Sequence, residues 1–238
     1  MFKTVILSIL FAQSPFQNQI EFSGRKWGIF TNYDKMSESQ FTKDGVFVDS
    51  LGYLHLRAWR VKTDSGYRYF ASGVISTDKH LYGVYKFETY GNLSSFFNTC
   101  FAPFLYDWDK GVYEIDIEYS RWSKKSNNPG NYNIHYMPSG KHYKKHFDFY
   151  LPDSMVDAFH YIYLFPDSVV FKTTVIENKK EKTCGYWVVK DKRFIPHRPV
   201  YIEIYLWWPY RNRKGEDTGD IVLKSVEFIP VTSDKNKK

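Results

Sequence analysis

The run Val112-Tyr-Glu-Ile-Asp-Ile-Glu-Tyr-Ser120 restricts the fold more than any other stretch of the chain. Polar and apolar residues alternate in it strictly, and a period of two is the pattern of an extended strand whose side chains point to opposite faces in turn. Tyr113, Ile115, Ile117 and Tyr119 are then assigned to a core, and Glu114, Asp116 and Glu118 to a row on the other face. Like charges along one strand face repel, and a surface strand is expected to interleave cations among them. Such a row is a cost that calls for a function.

The same period recurs. In Val200–Trp208 the residues Val200, Ile202, Ile204 and Leu206 point one way, with Trp208 on their side, while Tyr201, Glu203, Tyr205 and Trp207 point the other. In Asn131–Tyr136 the residues Tyr132, Ile134 and Tyr136 oppose Asn131, Asn133 and His135. Aromatic residues make up 20% of the chain, which suits pleated, half-buried surfaces. Turn signals punctuate these runs at Asp49-Ser-Leu-Gly52, Thr63-Asp-Ser-Gly66, Pro129-Gly-Asn131, Pro138-Ser-Gly140 and Pro152-Asp153. Short strands with such punctuation predict an all-β sandwich or barrel. A sheet with an aliphatic inner face and an outer face of Trp, Tyr, Asn, His and carboxylates has the makings of a sugar-binding groove.

The chemistry that needs paired carboxyl groups beside such a groove is glycoside hydrolysis, in which one carboxylate attacks the anomeric carbon and a second, protonated, serves the leaving oxygen. Neighbouring like charges raise the acid's pKa so that it holds a proton near neutral pH. A calcium site or a merely solvated acidic strand would also use clustered carboxylates; the strict alternation and the aromatic surroundings favour catalysis. Four residues along a strand separate Cα atoms by about 13 Å, whereas a retaining mechanism wants carboxyl groups about 5–5.5 Å apart. The strand is therefore expected to bend, with this face concave.

Glu114-Ile-Asp-Ile-Glu118 resembles the short Glu-x-Asp-x-Glu signature of glycoside hydrolase family 16. Ser72-Gly-Val-Ile-Ser76 with Tyr82-Gly-Val-Tyr-Lys-Phe87, Ser94-Ser-Phe-Phe97, Asn133-Ile-His-Tyr136, Ile204-Tyr-Leu-Trp207 and Leu51-Gly-Tyr-Leu-His-Leu56 are similar to further segments of that family, over residues 20 to 231. The resemblance implies a concanavalin-like jelly-roll sandwich of two curved antiparallel sheets, with an active-site cleft across the concave one. It implies Glu114 as nucleophile, Asp116 as its helper and Glu118 as general acid/base of a retaining, endo-acting hydrolase of β-linked polysaccharide. A non-catalytic glycan-binding protein on the same scaffold, or a transglycosylase, is the alternative. Tyr205 stands where many members have Asn, and the loop from Arg121 to Asn131 matches no defined substrate group. The expected substrate-binding residues are Trp207, Tyr205, His135, Asn133, Trp108 and Trp122; Trp27, Trp59 and Trp187 are assigned to packing.

The formal charge of +7 comes from 33 basic and 26 acidic residues, and part of the excess sits in the tail Lys235–Lys238 and in a basic run holding Lys141, Lys144 and Lys145. No nucleic-acid motif accompanies it. The stretch Met1-Phe-Lys3 followed by apolar Thr4–Ala12 resembles a secretory signal peptide and is too short to span a bilayer. The expected organisation is a signal over residues 1–16, a single catalytic domain over 17–231 and a basic tail over 232–238, in an exported protein. Polysaccharide is the expected partner, with no nucleic acid and no membrane span. No cofactor and no metal in the cleft are expected; a structural calcium away from it is compatible with the resemblance. Cys100 and Cys184 are open to either pairing or remaining as free thiols.

Overall fold

The computed structural model describes residues 16–35, 37–209 and 218–231. The expected signal, apart from Phe16, and the basic tail lie outside the described residues. Where the alternation of Val, Ile and aromatic residues predicted strands, strands form. In chain order they are β1 (Gln19–Phe22), β2 (Arg25–Ile29), β3 (Tyr33–Asp34), β4 (Ser39–Phe41), β5 (Val46–Val48) and β6 (Leu54–Thr63). There follow β7 (Gly66–His80), β8 (Gly83–Gly91), β9 (Cys100–Tyr106), β10 (Tyr113–Tyr119), β11 (Gly130–Tyr136) and β12 (Tyr143–Phe149). The last are β13 (Val156–Leu164), β14 (Val169–Glu177), β15 (Lys180–Val189), β16 (Val200–Trp207) and β17 (Gly219–Pro230). No helix among the described residues is long and apolar enough to cross a membrane.

The strands make a jelly-roll sandwich of two curved antiparallel sheets. The first runs β1-β2-β7-β16-β9-β10-β11-β12, and the second runs β5-β6-β17-β8-β13-β14-β15. The long β7 joins them: its first residues pair with β6 across the Asp64-Ser65 turn, and its remainder lies beside β16. The short β3-β4 ribbon attaches to β7, where β4 runs parallel to it.

The core between the sheets is built from the faces that the alternation predicted. Ile115, Ile117 and Tyr119 of β10, Tyr132 and Ile134 of β11, and Ile202, Ile204 and Leu206 of β16 are no more than 1% exposed. They meet Phe87, Ile162, Leu164, Phe171 and Val175 of the second sheet in one cluster with Trp27 and Trp208. Each fully buried side chain of this size contributes about 1.5–3 kcal/mol of burial free energy, set against the conformational entropy of ordering the chain. One polar chain crosses this core. The Tyr119 hydroxyl lies 2.6 Å from His160 Nδ1, and His160 Nε2 lies 2.8 Å from Thr89 Oγ1. A buried hydrogen-bonded pair of this kind ties the back of β10 to β13 and β8 of the opposite sheet.

The two cysteines are free thiols, Cys100 buried on β9 and Cys184 half-buried on β15, which settles the question that the sequence left open. Trp27 is fully buried, Trp59 stacks on Phe70 at 5.1 Å, and Trp187 stacks on Phe171 at 5.6 Å, so all three pack as expected.

Candidate active site

The outer face of the first sheet carries the acidic row. Register fixes its neighbours: Glu114 stands opposite His135, Asp116 opposite Asn133, and Glu118 opposite Asn131. One strand further, His135 faces Lys144, Asn133 faces His146, and Asn131 faces Asp148. On the other side Asp116 faces Phe104, which in turn faces Glu203. The three carboxyls therefore sit mid-sheet, with imidazole and amide groups on one flank and aromatic rings on the other.

Asn133 is buried and its side-chain amide donates to Glu118 Oε2 and, at 2.6 Å, to Asn131 Oδ1. Its own oxygen lies 2.6 Å from His146 Nδ1, and His146 Nε2 lies 2.8 Å from Asp148 Oδ1. Asn133 was expected to touch substrate; it has no exposure, and its amide is engaged with Glu118 from the neighbouring strand. His135 Nε2 lies 3.3 Å from Asp116 Oδ2, in ion-pair range, and the Glu114 and Asp116 carboxyls are close enough to share a hydrogen bond.

Burial raises the pKa of all three acids. Glu114 is pushed up to about 8, by burial first and then by the Asp116 charge, with His135 opposing. Asp116 is pushed well above the usual carboxyl range, through burial and then the Glu118 charge. Glu118 rises through burial, while Lys144, His135 and the Asn133 amide hold it down. Burial lowers the His135 pKa despite the pull of Glu114. Groups so close titrate as a unit.

A further carboxyl, Glu203 of β16, went unassigned in the sequence although parity placed it on this face. It is 1% exposed and accepts a hydrogen bond from Trp108 Nε1. Burial pushes it to about 8, against the pull of Tyr205 and Trp108 and with a smaller push from Glu114. His142 and His146 were also missed. Alternation along β12 could have flagged His146; nothing local to the sequence points His142 at the site.

The aromatic assignments are corrected by burial. Tyr205 is 2% exposed: its ring stacks on Phe30 at 5.2 Å, meets Phe41 at 5.2 Å and takes the edge contact of Phe104 at 5.0 Å. A ring enclosed in this way has no face to offer a sugar. Trp207 keeps the predicted side of β16 but is 7% exposed, packed in the same cluster beside Cys100. Trp108 and Trp122, in the segments that leave β9 and β10, remain partly exposed. They are the better-presented rings.

Glu114, Asp116 and His135 place two oxygens and a nitrogen within 4.8 Å of one another. That spacing would admit an ion, but calcium asks for six to eight oxygen ligands, and this group offers two carboxyls and one imidazole.

Compared by sequence, the chain matches no protein-family model and none of the curated proteins. Compared by structure, it is similar to a β-glucanase of Bacillus licheniformis, with a TM-score of 0.61 at 18% identity over 90% of this chain and 95% of that one. A family 16 endo-glucanase of Bacteroides ovatus matches with a TM-score of 0.64 at 13% identity, covering 85% and 94%. A Mycobacterium tuberculosis protein described as an immunostimulatory antigen and pseudo β-1,3-glucanase matches with 0.66 at 16%, covering 92% and 100%. The chain thus has the fold of glycoside hydrolase family 16, as the Glu114–Glu118 signature led one to expect.

Proposed function

We propose that the protein is a retaining, endo-acting hydrolase of β-linked glucan or a related polysaccharide. The observation that carries this reading is the row of Glu114, Asp116 and Glu118 on the outer face of β10, with Asp116 buried, Glu114 and Glu118 partly exposed, and His135 and Asn133 on the neighbouring strand. Glu114 attacks the anomeric carbon, Glu118 protonates the leaving oxygen and later activates water, and the covalent glycosyl-enzyme joins the two halves. Two protons shared among three carboxyls serve this chemistry when they rest on Asp116 and Glu118. Asp116 then donates a hydrogen bond to Glu114 and leaves it the ionised nucleophile. Asn133, donating to Glu118 Oε2, holds the acid in place.

The family 16 relatives of known fold include enzymes named as endo-glucanases and lichenases, which supports β-glucan as the substrate class. Export, as read from Met1–Ala12, belongs to the same proposal, because such polymers are met outside the cell. The pseudo-glucanase among the structural neighbours supports the rival reading, binding without turnover, for which the acidic row would be an unexplained cost.

The test is release of reducing ends from a panel of β-glucans and galactans. Glu118→Gln is expected to lower kcat by about 10²–10⁴-fold, the scale of general acid catalysis, and Glu114→Gln at least as much. Proton NMR of the first product is expected to show the retained anomer, as a double displacement requires. Full activity in both variants would falsify the assignment. Affinity electrophoresis showing retardation without hydrolysis would establish the binding reading in its place.

A further inference from the structure

A second imidazole stands behind His135. The ring of His142 stacks on that of His135 with centroids 5.0 Å apart and planes 10° from parallel, and His142 Nε2 lies 2.8 Å from His135 Nδ1. His142 reaches this position because the chain leaves β11 through a tight turn over Pro138–Gly140. There Ser139 and Gly140 take φ of 50° and 78°, and the turn folds the start of β12 back beside His135. The other nitrogen of His135 faces the acids, 3.3 Å from Asp116 Oδ2.

The two ring nitrogens of a neutral imidazole differ, one donating and one accepting, and the hydrogen bond at one settles the other. Beside Asp116 and Glu114, His135 gains by presenting N–H and loses by presenting a lone pair. With the proton on Nε2, Nδ1 must accept, and the atom in range to donate is His142 Nε2. We infer that His142 is a positioning residue: by donating to His135 Nδ1 it locks His135 in the Nε2–H tautomer, which keeps a donor aimed at the nucleophile and its helper. His142 does not itself reach the reacting atoms; it acts through His135. The inference rests on the proposed hydrolase reading for its kinetic consequence, but not for its structural one.

Two substitutions separate the parts of the contact. His142→Phe keeps a flat ring on His135 and removes the hydrogen bond, whereas His142→Gln can restore an N–H donor at the same reach. Long-range proton–nitrogen correlation on protein labelled at histidine nitrogen reads the tautomer of His135 directly, with His135→Gln to assign the signals. The expected result is the Nε2–H form in the wild type and in His142→Gln, and a mixed or reversed tautomer in His142→Phe. The wild type in the Nδ1–H form, or an unchanged His135 in His142→Phe, would overturn the proposal. On a glucan that the wild type cleaves, His142→Phe is expected to lower kcat by roughly five- to tenfold, the loss that follows removal of one hydrogen bond. KM should stay unchanged and His142→Gln should recover the rate; a change in KM alone would count against a positioning role. If the wild type cleaves no glycan, the hydrolase reading fails, while the tautomer measurement still decides the role of His142.

Discussion

Glu203→Gln is expected to make the protein more stable at neutral pH, and by an amount that the structure sets. Glu203 is fully enclosed, and its pKa rises from 4.5 to about 8, mainly through burial. A carboxyl with a raised folded-state pKa contributes its stability in full below the unfolded value and loses it as pH climbs towards the folded one. At pH 7 the unfolded chain would carry Glu203 ionised, while the folded chain still holds the proton. Each pKa unit corresponds to about 1.36 kcal/mol, so the two and a half units between 4.5 and 7 cost about 3 kcal/mol. Gln has the shape of the protonated acid, cannot ionise, and still accepts from Trp108 Nε1. The stability difference between Glu203→Gln and wild type should therefore grow by about 3 kcal/mol between pH 4 and pH 7. With a slope near 3 kcal/mol per molar urea, that is about 1 M in the urea midpoint. Because burial and not a neighbouring charge is the principal cause, 0.5 M salt should leave the gain nearly intact. A stability difference that stays flat between pH 4 and pH 7 would refute the reasoning, and one abolished by salt would shift the cause to Glu114.

Two further predictions concern the frame of the site. His160 is buried with its pKa lowered to about 3, so the folded protein keeps it neutral while the unfolded chain takes a proton below about 6.5. Its contribution is present above pH 6.5 and lost as pH falls, by about 2 kcal/mol between pH 7 and pH 5; melts of wild type and His160→Gln should differ in pH slope by that amount, and parallel slopes would sink the idea. Gly73 lies under Tyr205, where an added Cβ would stand 2.5 Å from the ring's Cδ1, and Phe30, Phe41 and Phe104 leave that ring no retreat. Gly73→Ala should cost about 1–3 kcal/mol by overpacking, and much of that loss should vanish in a Tyr205→Val background; strictly additive losses would show that the two residues do not press on each other.

How far the site could be read from the sequence follows from the range of the forces involved. The acidic row and the faces of β11 and β16 were legible because the period of two is local, needing only that each run be extended. Glu203 was legible by the same parity and was passed over because a lone Glu among Tyr and Trp carries no motif. Contacts set by the pairing of distant segments were not legible. Tyr205 looked like a sugar platform from its own strand, yet its cover comes from Phe30, just after β2, and Phe41 of β4, both more than 160 residues earlier. Asn133 looked like a groove residue until register set it against Asp116 and beside Glu118. His142 depends on a turn whose positive φ values, at Ser139 and Gly140, no alternation can announce.

The same distinction bears on where a glycan would meet aromatic rings under the proposed function. Rings on adjacent strands of this face bury one another, as Phe104 of β9 and Tyr205 of β16 do, with Trp207 at the end of β16 in the same cluster. Rings in the segments that run into and out of a strand have neighbours on fewer sides and keep a face open. Trp108 precedes β10 and Trp122 follows it, so the two partly exposed indoles bracket the strand that carries the acids. Trp108 is further held by Glu203, two strands from Asp116. Stacking is therefore better assigned to the two ends of the acidic strand than to the floor beside it. Trp207, the strongest candidate by alternation alone, becomes part of the wall that supports them.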